Sequence, residues 1–535
     1  MIAPIPTSRG ARRRLPFVPA ALSALALLSG CAVGPDYVRP TLDVPAAYKE
    51  AGPWKSAQPG QIDSDLDWWR IYGDPTLDGL MVQANAANQT VAQAAAQYRQ
   101  ARALVDEARA AFWPQATAGV SAGRARSMTN SGTKLGNTYA ASLDASWEPD
   151  LWGAVRRSVE ASDATAQSSA AQLAAVRLSV QAALAQDYLQ LRVIDELKAL
   201  YARTLVAYER SLKLTQSQYN AGVALRSDVA LAQAQLKTAQ ASSIDLDTQR
   251  NQLEHAIAIL TGRAPADFTL PPAPESWQAR VPDIPTGVPS QLLERRPDIA
   301  SAERLAAAAN AQIGVARAAY YPDLILSAGV GFSSGTAGLS QWFNTPSRVW
   351  SLGAALAETL FDGGLRSARV DAAHAGFDAA VAQYKQTVLG GFQEVEDNLS
   401  NLRVLADESI AQDQAVQASR LSERLALAQY RGGTTTYLTV VTAQALTLSN
   451  ERTAADLLGR RLLASVALIK ATGGGWNASR LYPPLARTDA KSDAKSDAKT
   501  DVAADARTDT GGAPTTNMNA GTDTGTQAVA AAAAR

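Results

Sequence analysis

Ala108-Arg109-Ala110-Ala111-Phe112-Trp113-Pro114 returns 208 residues later as Ala316-Arg317-Ala318-Ala319-Tyr320-Tyr321-Pro322. Leu191-Arg192-Val193 returns as Leu402-Arg403-Val404, Tyr219-Asn220-Ala221-Gly222 as Tyr430-Arg431-Gly432-Gly433, and Thr261-Gly262 as Thr472-Gly473. The offsets stay within 208–211, so the matches are collinear and the chain contains an internal duplication. Whatever one half builds, the other builds again.

Each half holds a long proline-free stretch, Asp150 to Ala264 and Ser347 to Tyr482. In the first, apolar and aromatic residues fall at Leu173, Val176, Val180, Leu184, Tyr188, Leu191 and Ile194, then at Tyr201, Leu205, Tyr208, Leu212 and Tyr219. Spacings of mostly three and four are those of a coiled coil. Val381, Tyr384, Val388, Phe392, Val395, Leu399 and Leu402 repeat the pattern in the second. One helix from Ala154 to Tyr219 would span roughly 100 Å at its rise per residue. Gly222 and Gly432-Gly433 mark the points where each chain turns and runs back. Each half is therefore expected to form a long antiparallel helical hairpin.

Segments of a different period flank the hairpins. Ala116, Ala118, Val120 and Ala122 alternate with Gln115, Thr117, Gly119 and Ser121. Tyr139, Ala141, Leu143, Ala145 and Trp147 form a second alternating face, Leu324 to Phe332 a third, and Trp350 to Leu356 a fourth. Four strands of about ten residues have the length and alternation of transmembrane β-strands. A soluble sheet with one wet face fits the same alternation. If the strands cross a membrane, four cannot enclose a pore, and lipid tolerates no open edge. Two copies would give eight strands and a filled interior; three would give twelve and room for a channel.

The ends of the chain are different. Arg9, Arg12, Arg13 and Arg14 precede an apolar run from Leu15 to Leu28, then Ser29-Gly30-Cys31, and Cys31 is the single cysteine. This is the layout of a secretion signal ending in a lipobox, with small residues for the peptidase and a thiol to take diacylglycerol. Ala32 follows, not the aspartate that retains lipoproteins in the inner membrane, so the outer membrane is the expected home. Prolines at 35, 40, 45, 53 and 59 make the next segment, with Trp54, Trp68 and Trp69, an extended strap. From about Thr488 the chain is low-complexity, and such a tail is expected to be disordered. The expected organisation is a signal peptide over 1–30, a lipidated strap over 31–75, a first repeat over 76–264, a linker over 265–298, a second repeat over 299–485 and a tail over 486–535.

Lys+Arg and Asp+Glu are both 50, and loss of the signal segment leaves a net charge of about −4. Such a chain has no footprint for nucleic acid. His255 and His374 lie in helical stretches at no ligand spacing. Gly329-Val330-Gly331-Phe332-Ser333-Ser334-Gly335 follows a strand and opens no helix that could hold a phosphate. Carboxylates fall on helical faces, where a solvated surface is the default. No enzyme and no cofactor are expected, so energy for any transport must come from a partner.

The strap Val33-Gly34-Pro35-Asp36-Tyr37 with Trp68-Trp69, Arg295-Arg296-Pro297-Asp298, the two Ala-Arg-Ala-Ala-aromatic-aromatic-Pro segments and Tyr437-Leu438-Thr439-Val440-Val441 together resemble one family. It is the outer membrane factors, the TolC-like exit ducts of tripartite systems, and within them the lipid-anchored, NodT-type branch serving RND-type pumps. The resemblance covers residues 31 to about 485. It implies a mixed α and β membrane protein: a homotrimer with a twelve-stranded outer-membrane β-barrel, four strands per chain, continued by a periplasmic α-helical barrel. It also implies docking to a periplasmic adaptor and an inner-membrane RND-type transporter, with cargo chosen by the transporter. The family narrows near the hairpin turns, where this chain carries Asp228, Tyr430 and Arg431. Asp228 would also serve as an ordinary helix cap. Leu438 matches an apolar constriction ring. One turn on, the family usually carries an aspartate ring; here Thr442 stands in its place, which predicts a neutral ring and weaker cation binding. A lipid-anchored coiled-coil scaffold or adaptor that never spans the membrane is the competing reading.

Overall fold

The computed structural model describes residues 32–51, 67–129, 132–274, 277, 280–284, 289–335 and 344–477. The signal segment, Cys31, Trp54 and the low-complexity tail lie outside the described residues.

The duplication is visible in the element lengths. In the first half, α1 (Pro75–Ala87) and α2 (Gln89–Ala110) lead to β1 (Gln115–Thr129) and β2 (Gly132–Trp147), then to α3 (Ala154–Asn220, 67 residues) and α4 (Arg226–Leu260, 35 residues). In the second, α5 (Pro297–Ala318) leads to β3 (Asp323–Ser334) and β4 (Arg348–Ala357). Then follow α6 (Leu365–Arg431, 67 residues) and α7 (Tyr437–Ala471, 35 residues). Both long helices thus have the length that the periodicity predicts.

Local chemistry sets the ends of these helices. Gly153 and Gly364 stand at the N-caps of α3 and α6 with φ of +86° and +93°, a region that favours glycine. Asp150 accepts the N–H groups of Val155 and Arg156, both at 3.0 Å, and Asp362 accepts those of Gly364 and Arg366, so a carboxylate meets the positive end of each helix. At the far ends, the Val223 and Thr434 N–H groups reach back to the carbonyls of Gln218 and Gln429. Gly222 and Gly433 sit between them in the left-handed region, a Schellman stop at each turn. Asn88 interrupts what the sequence presents as one helix, because its side chain accepts the Thr90 and Val91 N–H groups and starts α2 afresh.

The four strands form one antiparallel sheet in the order β1-β2-β3-β4, joining the two halves through the β2–β3 pair. β1 and β2 run to 15 and 16 residues, longer than the ten expected, because the hairpin continues through polar residues such as Arg124, Arg126 and Asn137. The register collects Val120, Leu143, Val330, Trp350, Leu352 and Leu356 on one face. That face is uncovered among the described residues: Trp350 and Leu352 are each 80% exposed and Val120 is 78% exposed. The opposite face is mostly small and polar, with Thr117, Ser121, Ser142, Ser146, Ser327 and Ser351, and carries Ile325 and Val349 as its large apolar residues. No described strand pairs with the outer edges of β1 and β4.

The core lies among the helices. Leu184, Tyr188, Leu191 and Ile194 of α3 are buried with Tyr384, Val388, Val395 and Leu399 of α6 and Leu462, Val466 and Ile469 of α7. Some charges read as solvated belong to this interior. Arg192 is 2% exposed, donating to Asp195 (3.1 Å) and to the Tyr188 hydroxyl (3.0 Å). Asp195 also accepts Arg250 at 2.8 Å and the Ala273 N–H at 2.9 Å, which clamps the linker after α4 to the bundle. Glu303, 5% exposed, takes the Tyr37 hydroxyl at 2.8 Å and pairs with Arg304. Position on a helical face alone does not tell a solvated carboxylate from one turned toward a neighbouring helix.

The described parts of the strap, 32–51 and 67–74, are extended, with short 3-10 turns at Lys49–Ala51 and Trp68–Tyr72. Its first part is bound at several points: Asp36 to Arg157, Arg39 to the Tyr384 hydroxyl, the Lys49 and Glu50 N–H groups to Glu396, and Glu50 to Arg403.

Candidate functional site

Two regions carry the residues that the sequence singles out: the hairpin turns and the start of the strap. At the turns, Tyr430 is 6% exposed, its ring 5.3 Å from that of Tyr437 and its hydroxyl 3.5 Å from Thr215 Oγ1. Ala232, Ala426, Val440 and Ala443 close the same cluster, which therefore joins α3 and α4 to α6 and α7. One and two turns further along α3, the Gln444 amide donates to Ser211 Oγ at 3.1 Å and the Tyr208 hydroxyl to the Gln444 carbonyl at 3.4 Å. Burial pushes the Tyr437 hydroxyl up to about 12 and the Tyr208 hydroxyl up to about 12, so both stay neutral. Thr215, Ser211 and Gln444 are absent from the sequence reading, which quotes Tyr437 within a motif but gives it no role. Only the pairing of the two hairpins brings them together, although an aromatic in the first turn of α7 was a signal for Tyr437.

Asp228 is the third residue of α4, and its carboxylate accepts the Leu225 N–H at 3.3 Å. Leu225 has no side-chain acceptor, so this is the reaching-back half of a capping box. Arg431, the last residue of α6, is exposed. Asp228 and Arg431 form no ion pair with each other or with another described residue. The turns differ in chemistry: Val223 and Leu225 are 73% and 69% exposed at the first, whereas Thr434, Thr435 and Thr436 make the second.

Leu438 is 61% exposed in the first turn of α7. Thr442 lies one turn on, also exposed, and its hydroxyl donates to the Leu438 carbonyl at 2.8 Å. The two share the side of α7 turned away from the buried Tyr437, Val440 and Ala443.

The strap begins where the sheet meets the helices. Val33 N–H donates to the Trp152 carbonyl at 3.0 Å, and Ala32 packs so closely on Gly153 that a Cβ there would lie 2.9 Å from the Ala32 Cα. Ala32, the first described residue, thus lies where β2 gives way to α3. His255 is exposed and His374 lies 3.1 Å from the Arg317 guanidinium, far apart in sequence and on different helices. The glycines of Gly329-Val330-Gly331 serve strand packing: a Cβ on Gly331 would lie 2.3 Å from the Ala141 carbonyl oxygen. Among the described residues no helix is long and apolar enough to cross a membrane.

Comparison with known proteins gives one answer. The family described as "Outer membrane efflux protein" matches residues 80–263 and 288–474. The pyoverdine export outer membrane protein OpmQ of Pseudomonas aeruginosa is 31% identical over 480 residues, covering 88% of this chain and 98% of OpmQ. The outer membrane protein OprJ of the same organism is 32% identical over 473 residues, covering 88% and 98%. Among solved structures, the outer-membrane channel OprN superposes with a TM-score of 0.78 at 32% identity, covering 83% of this chain and 100% of OprN.

Proposed function

Since this chain belongs to the outer membrane efflux protein family, we propose that it is the exit duct of a tripartite efflux assembly, passively conducting cargo that an inner-membrane RND-type transporter and a periplasmic adaptor deliver. The observation that carries the reading is the sheet. Its apolar face is exposed, its other face is mostly small and polar, and among the described residues no strand pairs with its outer edges. In lipid such edges must be satisfied, and three copies close twelve strands around a lumen lined by the polar face. The repeats 76–264 and 299–485 then supply one long helical hairpin each to a helical tunnel below the barrel. A lipid-anchored scaffold leaves this sheet without a purpose.

In this reading Leu438 rings the narrowest part of the tunnel and Thr442 makes a neutral ring one turn on. Tyr430 packs the two turns together within the chain, Asp228 and the exposed Arg431 are left to make the gate's links between copies, and the exposed Val223 and Leu225 offer an apolar contact to the adaptor. Lipid on Cys31 tethers single chains at the membrane until they assemble; several acyl chains hold far better than one. Native mass spectrometry of the detergent-extracted protein tests the assembly. The mass of three lipidated chains is expected; a monomer overturns the proposal.

A further inference from the structure

The apolar face of the sheet changes character toward the end far from the helices. Tyr139 and Trp350, counterparts in the duplication at an offset of 211, lie on that face opposite Ala122 and Val330. One rung of the same face further on, the pairs are Arg124 with Asn137 and Phe332 with Arg348. The duplicated rung thus carries one arginine in each hairpin, on β1 in the first and on β4 in the second. Arg126 continues that face one rung beyond Arg124. All three arginines are exposed, and none makes a side-chain hydrogen bond or ion pair with another described residue. The two carboxylates within the strands, Asp144 and Asp323, both lie on the opposite face.

The height of these arginines matches the edge of a bilayer. Arg124 stands nine residues beyond Gln115 and Arg348 nine before Ala357, the ends of β1 and β4 nearest the helices. That is ~30 Å along a strand and, at the usual barrel tilt, ~23 Å along the membrane normal. A barrel's apolar band is about 25 Å tall, so both guanidinium groups reach its upper margin, with Arg126 just above. Trp350, exposed, and Tyr139, half-buried, mark the margin itself, as interfacial aromatics do. Three cations turned to lipid at that level, with no carboxylate beside them, are complementary to anionic headgroups in the leaflet.

Resting on the duct reading, we infer that Arg124, Arg126 and Arg348 form a binding surface for the phosphate groups of the outer leaflet's phosphorylated glycolipid, lipid A. The strand hairpins point away from the helical tunnel, so this surface meets the outer leaflet and not the inner one. All three cations are arginine, whose planar fork meets phosphate oxygens in paired hydrogen bonds that the point charge of a lysine does not make. A phosphate monoester on a sugar carries more charge than the single diester of an ordinary phospholipid, which gives the surface a basis for choosing between them. Each copy in the assembly presents the same three arginines, so bound glycolipid forms a collar around the upper barrel.

Lipid retention tests the assignment. The delipidated oligomer is titrated in detergent with diphosphoryl lipid A or with phosphatidylglycerol, and bound lipid is counted by native mass spectrometry. The wild type is expected to hold diphosphoryl lipid A several-fold more tightly than phosphatidylglycerol. Arg124→Gln with Arg126→Gln and Arg348→Gln should abolish that preference and leave single-channel conductance of the reconstituted oligomer unchanged. Arg348→Gln alone keeps two of the three cations and should lower the preference part-way; it carries the comparison if the triple variant does not assemble. Equal affinity of the wild type for the two lipids overturns the proposal, because the surface would then be an unselective anionic interface. An undiminished preference in either variant overturns it as well. Both results leave the oligomer and the duct reading standing, whereas a wild type that forms no oligomer brings down the duct reading itself.

Discussion

Thr442 donates its hydroxyl to the Leu438 carbonyl one turn back in α7, at 2.8 Å. That bond turns the hydroxyl hydrogen into the helix and leaves only a methyl and oxygen lone pairs facing outward, with no charge. Three such residues around an axis give cations little to bind. Thr442→Asp is therefore expected to raise single-channel cation selectivity and to introduce block by millimolar divalent ions. An unchanged reversal potential and unchanged block would place Thr442 away from the axis.

The Asp195 carboxylate serves two arginines and the linker N–H of Ala273 at once. Asp195→Ala leaves the buried Arg192 without a carboxylate partner, while Arg250 keeps Glu254, a loss of about 3–5 kcal/mol. Thermal unfolding in detergent should show a lowered midpoint, and limited proteolysis should cut the linker near Leu270 sooner than in the wild type. A change below about 1 kcal/mol would mean that water reaches the Arg192 guanidinium.

Gly34 holds the strap against α5. Its φ is +107°, and a Cβ there would lie 2.5 Å from the Gly314 Cα, backbone against backbone. Gly34→Ala is expected to lift the start of the strap, weaken the Asp36–Arg157 pair and speed protease cleavage between Val33 and Arg39. The far-ultraviolet circular dichroism should stay that of the wild type. Equal cleavage rates would contradict the close packing.

Burial raises the Asp187 carboxyl from 3.8 to about 6. An acid whose folded pKa is raised keeps its proton in the folded chain where the unfolded chain has released it. That stabilising protonation is in place below about pH 4 and is lost as the pH rises through about 6. Asp187→Asn never ionises. Its melting temperature relative to wild type should therefore rise between about pH 4 and pH 7; a constant difference across that range would contradict the assignment.

Cys31→Ser with an ordinary signal peptide separates anchoring from conduction. If the shared barrel holds the assembled protein, the variant should yield fewer oligomers on native gels, with conductance per oligomer unchanged. Assembled oligomers that cannot conduct would make the lipid part of the duct.

The sequence shows clearly those features that come from repetition and period. Two hairpins follow from the duplicated motifs and the three–four spacing, and the strand faces follow from alternation in Val120, Leu143, Val330 and Leu352. Features decided by contacts far apart in sequence are hidden. The ends of β1 and β2 run past the apolar band, where Arg124 and Asn137 carry no alternating signal. The break at Asn88 is one side chain capping two N–H groups inside a continuous helical pattern. Asp195 and Glu303 look like ordinary helical carboxylates until Arg250, Tyr37 and Arg304 are brought to them. Of the turn residues, Asp228 reads plainly as a cap, whereas the inward position of Tyr430 depends on Thr215 and Tyr437 from other helices.

The central claim is that copies of this chain enclose a conducting passage, and planar-bilayer recording of the purified oligomer tests it most directly. The wild type and a variant loosened at the turns, Asp228→Ala with Arg431→Ala, should both show discrete conductance steps, with the variant open for more of the record. A flat trace from both, with oligomers verified in the same sample, would contradict the account.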